Sequence, residues 1–181
     1  IKPSSLGDIL HGLPVLAALR ERWPRARITW IVKEQWSDIL QGHPDIDELI
    51  LLKKNSLTSG SRAFRKRLRQ GRYDLAIDLQ GLFRSGWIAY LSGAPIRLGF
   101  ANARELAPIF YTHRLEVPRE RHAVERNLKL VTVLGWKPSE RFQDPALVPF
   151  PLFVGQETSL RVSDFLNHHL KREGPLIVML P

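Results

Sequence analysis

The sequence predicts an α/β protein, a Rossmann-like parallel sheet with helices on both faces. Short apolar runs alternate along the chain with stretches of helical periodicity, the order expected of βα units around a parallel sheet. Two of those runs, RITWIVK (27–33) and DLAIDLQ (74–80), are apolar enough on both faces to be interior strands. A chain of 181 residues with 44% apolar content can bury a sizeable core, and it holds no run of about 18 apolar residues that would span a membrane.

The chain opens at Ile1 in the last residues of a strand, then passes through Ser4-Ser5-Leu6-Gly7 to Asp8. Ser, Gly and Asp at such a junction cap a helix or leave room for a ligand to reach the backbone. Pro14 inside a helix would remove a backbone bond. The pattern therefore predicts a short turn at Asp8–Leu13 and a helix that carries Pro14 in its first turn and runs to Trp23. Asp8 then sits in a connection at the carboxyl end of the first strand, where doubly wound sheets bind ligands.

Strands follow at 27–33, 48–53, 74–80 and, shorter, 96–100, with helices at 61–70 and 84–93 between them. HAVERNLKLVTVLG (122–135) is the clearest helix: Val124, Leu128, Val131 and Leu134 form one stripe, and Gly135 is a natural C-cap. KPSERFQDPALVPFPLFVGQE (137–157) is Pro-rich and irregular, a polar helix covers roughly 157–173, and GPLIVMLP (174–181) reads as a buried strand. We expect residues 1–155 to form one domain, and 156–181 to be a linker helix with the first strand of another, the chain being part of a larger protein.

The formal net charge of +9 directs attention to acidic partners. Arg62, Arg65, Lys66, Arg67, Arg69 and Arg72 follow one another with no acid among them, and Arg62, Arg65, Lys66 and Arg69 share a helical face. Like charges at that spacing repel unless an anion relieves them, although an exposed charged face is the ordinary outcome. With no cysteine there is neither a disulfide framework nor a thiolate site, which fits a cytoplasmic protein. His122 and Glu125 stand three apart as a pair on one helical face could, or His122 simply opens the helix. The adjacent His168 and His169 cannot converge on one ion, so no metal site is expected. A nucleic-acid-binding module would explain the charge, but the usual recognition motifs are absent. A nucleotide-dependent Rossmann domain lacks its G-x-G-x-x-G after the first strand.

Four stretches, in order, resemble the bacterial heptosyltransferases of glycosyltransferase family 9: KPSSLGDILHGLPVL, YDLAIDLQGLFRSG, RLGF with NARE, and HAVERNLKLVTVLG. The first two look closer to the enzymes that add the first heptose. The resemblance implies the N-terminal, acceptor-binding half of a GT-B glycosyltransferase that moves heptose from ADP-heptose to Kdo of the lipopolysaccharide inner core. Inversion without a metal or cofactor is implied, with Asp8 as general base. The acceptor would be Kdo-lipid A, met at the cytoplasmic face of the inner membrane by a peripheral protein that binds no nucleic acid. Substrate-binding candidates are Ser5 and Gly7 beside the base; Arg62, Arg65 and Lys66 of the basic run; Gln80 and Arg84 of DLQGLFRSG, where Asp78 could also reach the cleft; Arg104 of NARE; and His122. Helix capping by Ser5 and Asp8, and a tight strand-to-helix turn at Asp78–Ser85, are the plain structural readings of the same residues.

Overall fold

The computed structural model describes residues 1–53, 62–144 and 146–169. In chain order it contains α1 (Leu6–Leu10), α2 (Leu13–Arg22), β1 (Thr29–Lys33), β2 (Glu48–Leu52), α3 (Arg62–Gln70), β3 (Leu75–Ile77), α4 (Phe83–Ser92), β4 (Ile96–Phe100), β5 (His113–Leu115), α5 (Ala123–Thr132), α6 (Glu140–Gln143) and α7 (Gln156–His169), with 3-10 turns at Glu34–Ile39 and Ala107–Phe110. β1 pairs with β2, and β4 lies between β3 and β5, every ladder being parallel.

The extended residues Ile1–Pro3 join the two sets. The Ile1 amine donates to the Ile77 carbonyl (2.7 Å), and the Ile1 carbonyl accepts from Leu79 N–H (3.1 Å). On the other side Lys33 N–H donates to the Pro3 carbonyl at 3.0 Å.

Period-two alternation then sorts the side chains into two layers. Trp30 and Val32 face Leu13 and Leu16 of α2, while the intervening Ile31 packs with Leu68 of α3 and Ile88 and Leu91 of α4. Leu79, Leu98 and Phe100 meet Val15 of α2 and Leu128 and Val131 of α5. Helices thus cover both faces, α2 and α5 on one and α3 and α4 on the other.

The four strands fall inside the predicted runs, and Pro14 occupies the first turn of α2. The first helical turn starts two residues earlier than expected, which places Asp8 within α1 rather than in a connection. β5 has no apolar run to announce it: His113 and Arg114 are exposed, and only its pairing with β4 makes it a strand. α7 buries no side chain, and the strand expected at 174–181 lies outside the described residues.

The expectation that Asp78 reaches the cleft is overturned. Its side chain is fully buried and committed to the fold. One oxygen accepts from Gln80 N–H (2.9 Å) and Gly81 N–H (3.2 Å), the other from Ser85 Oγ (2.8 Å) and Tyr111 OH (2.6 Å). Gly99 makes the last bond possible, because a β-carbon there would sit 2.4 Å from the Tyr111 ring. Burial, then the Asp78 charge, push the Tyr111 hydroxyl above the ordinary tyrosine range.

Replacing Asp78 with Ala strands a buried hydroxyl pair and two amides, so a loss of about 3–4 kcal/mol in urea unfolding is expected. Tyr111→Phe should cost about 1–2 kcal/mol. A loss below about 1 kcal/mol for Asp78→Ala would show that the node is dispensable.

Candidate functional site

At the carboxyl ends of the strands, five pieces of chain enclose a cavity of about 310 Å³. The extended N-terminal segment contributes Lys2, α1 contributes Asp8, and the turn after β3 contributes Leu79–Gly81. The loop after β4 brings Asn102–Arg104, and α5 with the residue Arg119 before it closes the far side through Arg126 and Asn127. Four cations, Lys2, Arg104, Arg119 and Arg126, face a single carboxylate, that of Asp8.

Asp8 is held from two sides. Ser5 N–H donates to its Oδ2 at 3.2 Å, so Ser5 caps α1 through the backbone, and Lys2 Nζ lies 3.6 Å from Oδ1. Its side chain is still 44% exposed, which leaves it open toward a ligand. Lys2 is buried and donates to the Leu79 carbonyl at 2.9 Å. Burial draws its ammonium below the ordinary lysine range, opposed by the charges of Asp8 and Asp78.

Across the cavity the Arg126 guanidinium lies 4.9 Å from the centre of the Phe100 ring, and its Nε is buried with no hydrogen-bond partner. Asn102 donates to the Val117 carbonyl at 2.7 Å, yet its Oδ1 is also buried and unpartnered. Unpaired buried polar atoms are rare in folded proteins, and these two belong to residues that line one cavity. Arg119 donates to the Asn102 carbonyl (2.8 Å) and Asn127 to the His11 carbonyl (3.0 Å), fixing the wall.

Of the residues expected from sequence, Asp8, Gln80 and Arg104 come together here. Gln80 Oε1 accepts from Ser4 N–H at 3.4 Å, and Arg104 N–H donates to the Gly81 carbonyl at 2.9 Å. Ser5 and Gly7 are exposed beside Asp8, and a β-carbon built on Gly7 would meet nothing within 4 Å. Arg62, Arg65 and Lys66 are exposed on α3 and do not line the cavity. Part of the charge relief this helix needs comes from the fold itself, since Arg67 pairs with Glu48 of β2 (3.4 Å) and Arg69 Nε donates to the Leu91 carbonyl (3.0 Å). Arg84 is exposed in the first turn of α4. His122 caps α5, its Nδ1 accepting from Val124 N–H at 3.3 Å, and Glu125 pairs with Arg121 (3.2 Å) instead.

Sequence reading missed Lys2, Asn102, Arg119, Arg126 and Asn127 as cavity residues. Lys2 and Arg126 lie within KPSSLGD and HAVERN, and their place on the extended opening segment and on the first turns of a helix is the signal that could have found them. Among the described residues no three His, Asp or Glu side chains converge as metal ligands, and no helix is long and apolar enough to cross a membrane.

Glycosyltransferase family 9 (heptosyltransferase) matches residues 61–144. Lipopolysaccharide heptosyltransferase 1 of Pseudomonas aeruginosa is 37% identical over 142 residues, 72% of this chain and 40% of that protein. Its counterpart in Salmonella typhimurium is 29% identical over 180 residues, 92% of this chain and 57% of that protein. The E. coli heptosyltransferase WaaC, solved with ADP, superposes with a TM-score of 0.68 at 31% identity, over 77% of this chain and 47% of that one. A family 9 glycosyl transferase from Veillonella parvula shares the fold, with a TM-score of 0.77 at 23% identity. The fold is that of the N-terminal half of GT-B heptosyltransferases, and the chain belongs to glycosyltransferase family 9. It spans about half the length of the relatives it matches, or less.

The unfolded chain keeps the Lys2 proton up to about pH 10.4. Between the lowered folded pKa and that value the unfolded state binds more protons, so stability rises with pH. Measured against Lys2→Met by urea unfolding, the wild-type chain is expected to gain stability as the pH rises toward 10. A pH-independent difference would mean that the ammonium is solvated.

Proposed function

We propose that this chain is the acceptor-binding part of an inverting glycosyltransferase that moves heptose from ADP-heptose to Kdo of the lipopolysaccharide inner core. The observation that carries the reading is the lone carboxylate: Asp8, oriented by Ser5 N–H and Lys2, stands exposed at a cavity whose other charges are all cations. Asp8 takes the proton of the acceptor hydroxyl as its oxygen bonds to the anomeric carbon, and the ADP oxygen leaves from the opposite face with the electrons of the broken bond. A carboxylate on the acceptor sugar meets Arg126, Arg104 and Arg119, which can bind it in forked pairs.

Gly7, with open space where a side chain would stand, admits the sugar beside Asp8. Gln80 is a neutral contact to its hydroxyls. Arg62, Arg65, Lys66, Arg84 and His122 lie farther out and serve the larger, phosphorylated body of Kdo-lipid A. The donor half begins at about residue 156, a division supported by α7 burying no side chain. The names of the relatives, and the E. coli structures with ADP and with ADP-2-deoxy-2-fluoro heptose, support the choice of donor. The working place is the cytoplasmic face of the inner membrane, without metal, cofactor or nucleic acid.

In the complete enzyme Asp8→Asn should lower turnover by roughly 10²–10⁴ while the melting temperature stays nearly unchanged. A variant that keeps half its activity would remove Asp8 as base.

Arg126→Met should raise the KM for a Kdo-bearing acceptor roughly tenfold or more and leave that for ADP-heptose near its original value. Equal changes in both would place Arg126 outside the acceptor site.

A further inference from the structure

Helix α1 carries the carboxylate of the cavity but has little of its own to hold it in place. It is five residues long, begins with Leu6 and Gly7, and buries only Ile9. A helix of one turn is marginal by itself, and a glycine within it adds backbone freedom. Ser5 N–H and Lys2 act on the Asp8 side chain. What happens at the far end of the helix therefore decides whether the turn can pivot about Ile9.

That end is tied to α5 twice. The helix closes at His11, whose N–H donates to the Gly7 carbonyl at 2.9 Å and whose own carbonyl accepts from Asn127 Nδ2 at 3.0 Å. Carbonyls at a helix end lack partners within the helix, so an amide brought from another helix satisfies one of them and pins its position. The imidazole of His11 also meets that of His122, the N-cap of α5, edge to face with ring centres 5.3 Å apart. Asn127 is itself firmly seated. It is 5% exposed and precedes Leu128, which packs in the core with Val15, Val124 and Val131. An amide in such a place needs a hydrogen-bond partner, and the His11 carbonyl is one.

The tie joins two walls of the cavity. Asp8 lies one turn before His11, and Arg126 is the neighbour of Asn127, so one amide-to-carbonyl bond links the helix with the lone carboxylate to a helix with a facing cation. Asn127 lines the cavity without adding a charge to it. Its contribution is geometric, and geometry weighs heavily on a base, which must stand within hydrogen-bond reach of the proton it takes. A displacement of about 1 Å can cost roughly 10²-fold in rate.

We propose that Asn127 is a positioning residue of the transfer reaction: it holds the end of α1 against α5 and so sets the place of the Asp8 carboxylate relative to the Arg126 guanidinium. The proposal rests on the reading of Asp8 as base and of Arg126 as an anchor for the acceptor. An acceptor held at Arg126 by its carboxylate then presents its hydroxyl where Asp8 already stands.

The test is steady-state kinetics of the complete enzyme as wild type, Asp8→Asn, Asn127→Leu and the double variant. Asn127→Leu keeps the volume and removes the donor, so kcat is expected to fall roughly tenfold or more while the KM for ADP-heptose stays within about twofold. The double variant decides the route of the effect. With no base left to aim, adding Asn127→Leu to Asp8→Asn should lower kcat by less than about twofold. If circular dichroism shows that Asn127→Leu does not fold, Asn127→Ser, too short to reach the carbonyl, takes its place in both measurements. The proposal is overturned by a single variant with kcat within about twofold of wild type. It is equally overturned by a double variant that loses the full factor a second time, which would make Asn127 a substrate contact or a residue of the fold alone. Failure of the base itself is seen separately, as an Asp8→Asn enzyme that keeps half its activity, and would take this proposal with it.

Discussion

A carboxylate with no solvent exposure must be met by donors on both oxygens, and Asp78 is met by two amides, a serine hydroxyl and a tyrosine hydroxyl. Those donors come from the turn after β3, from α4 and from the end of the 3-10 turn before β5. One side chain thereby fixes the angle at which the chain leaves the sheet. Gln80 and Gly81 enter the cavity because their amides are turned toward Asp78, and Arg104 is placed in turn by its bond to the Gly81 carbonyl. Asp78 contributes nothing to the cavity directly, yet the positions of its neighbours there depend on it.

Much of the fold was legible from local pattern. Ile31 between Trp30 and Val32 announces an interior strand, and the stripe of α5 announces the face it buries, because both signals are periodic and short-range. β5 was not legible, since three residues with two exposed side chains owe their strand character to β4 alone. α1 was shifted by Asp8 itself, whose carboxylate takes the Ser5 amide and draws the start of the helix forward.

The site was read less evenly. Asp8 and Gln80 stood out because each lies after a strand, and Asp8 as base and Arg104 as a binding residue were implied by the resemblance of SSLGD and NARE to family motifs. Asp78 stands in the same kind of motif, and its sequence cannot separate a carboxylate that faces a ligand from one that locks a turn. Arg126 and Lys2 were hidden for another reason. One sits on an amphipathic helix and the other on an extended segment, where a lone cation reads as surface, and only the packing of Phe100 beneath Arg126 and of Asp8 and Leu79 around Lys2 shows otherwise.

The extended segment Ile1–Pro3 ties the joining of the two sets of strands to the building of the cavity. Its hydrogen bonds reach partners 76 residues away, and the Lys2 bond to Leu79 spans 77. Closing a loop of that length costs chain entropy that the contacts of the segment have to offset. Through Lys2 the same segment brings an ammonium to the Leu79 carbonyl and to Asp8, at the wall of the cavity. The contacts that join the β1–β2 pair to the β3–β4–β5 sheet are thus the same contacts that assemble the charged cavity.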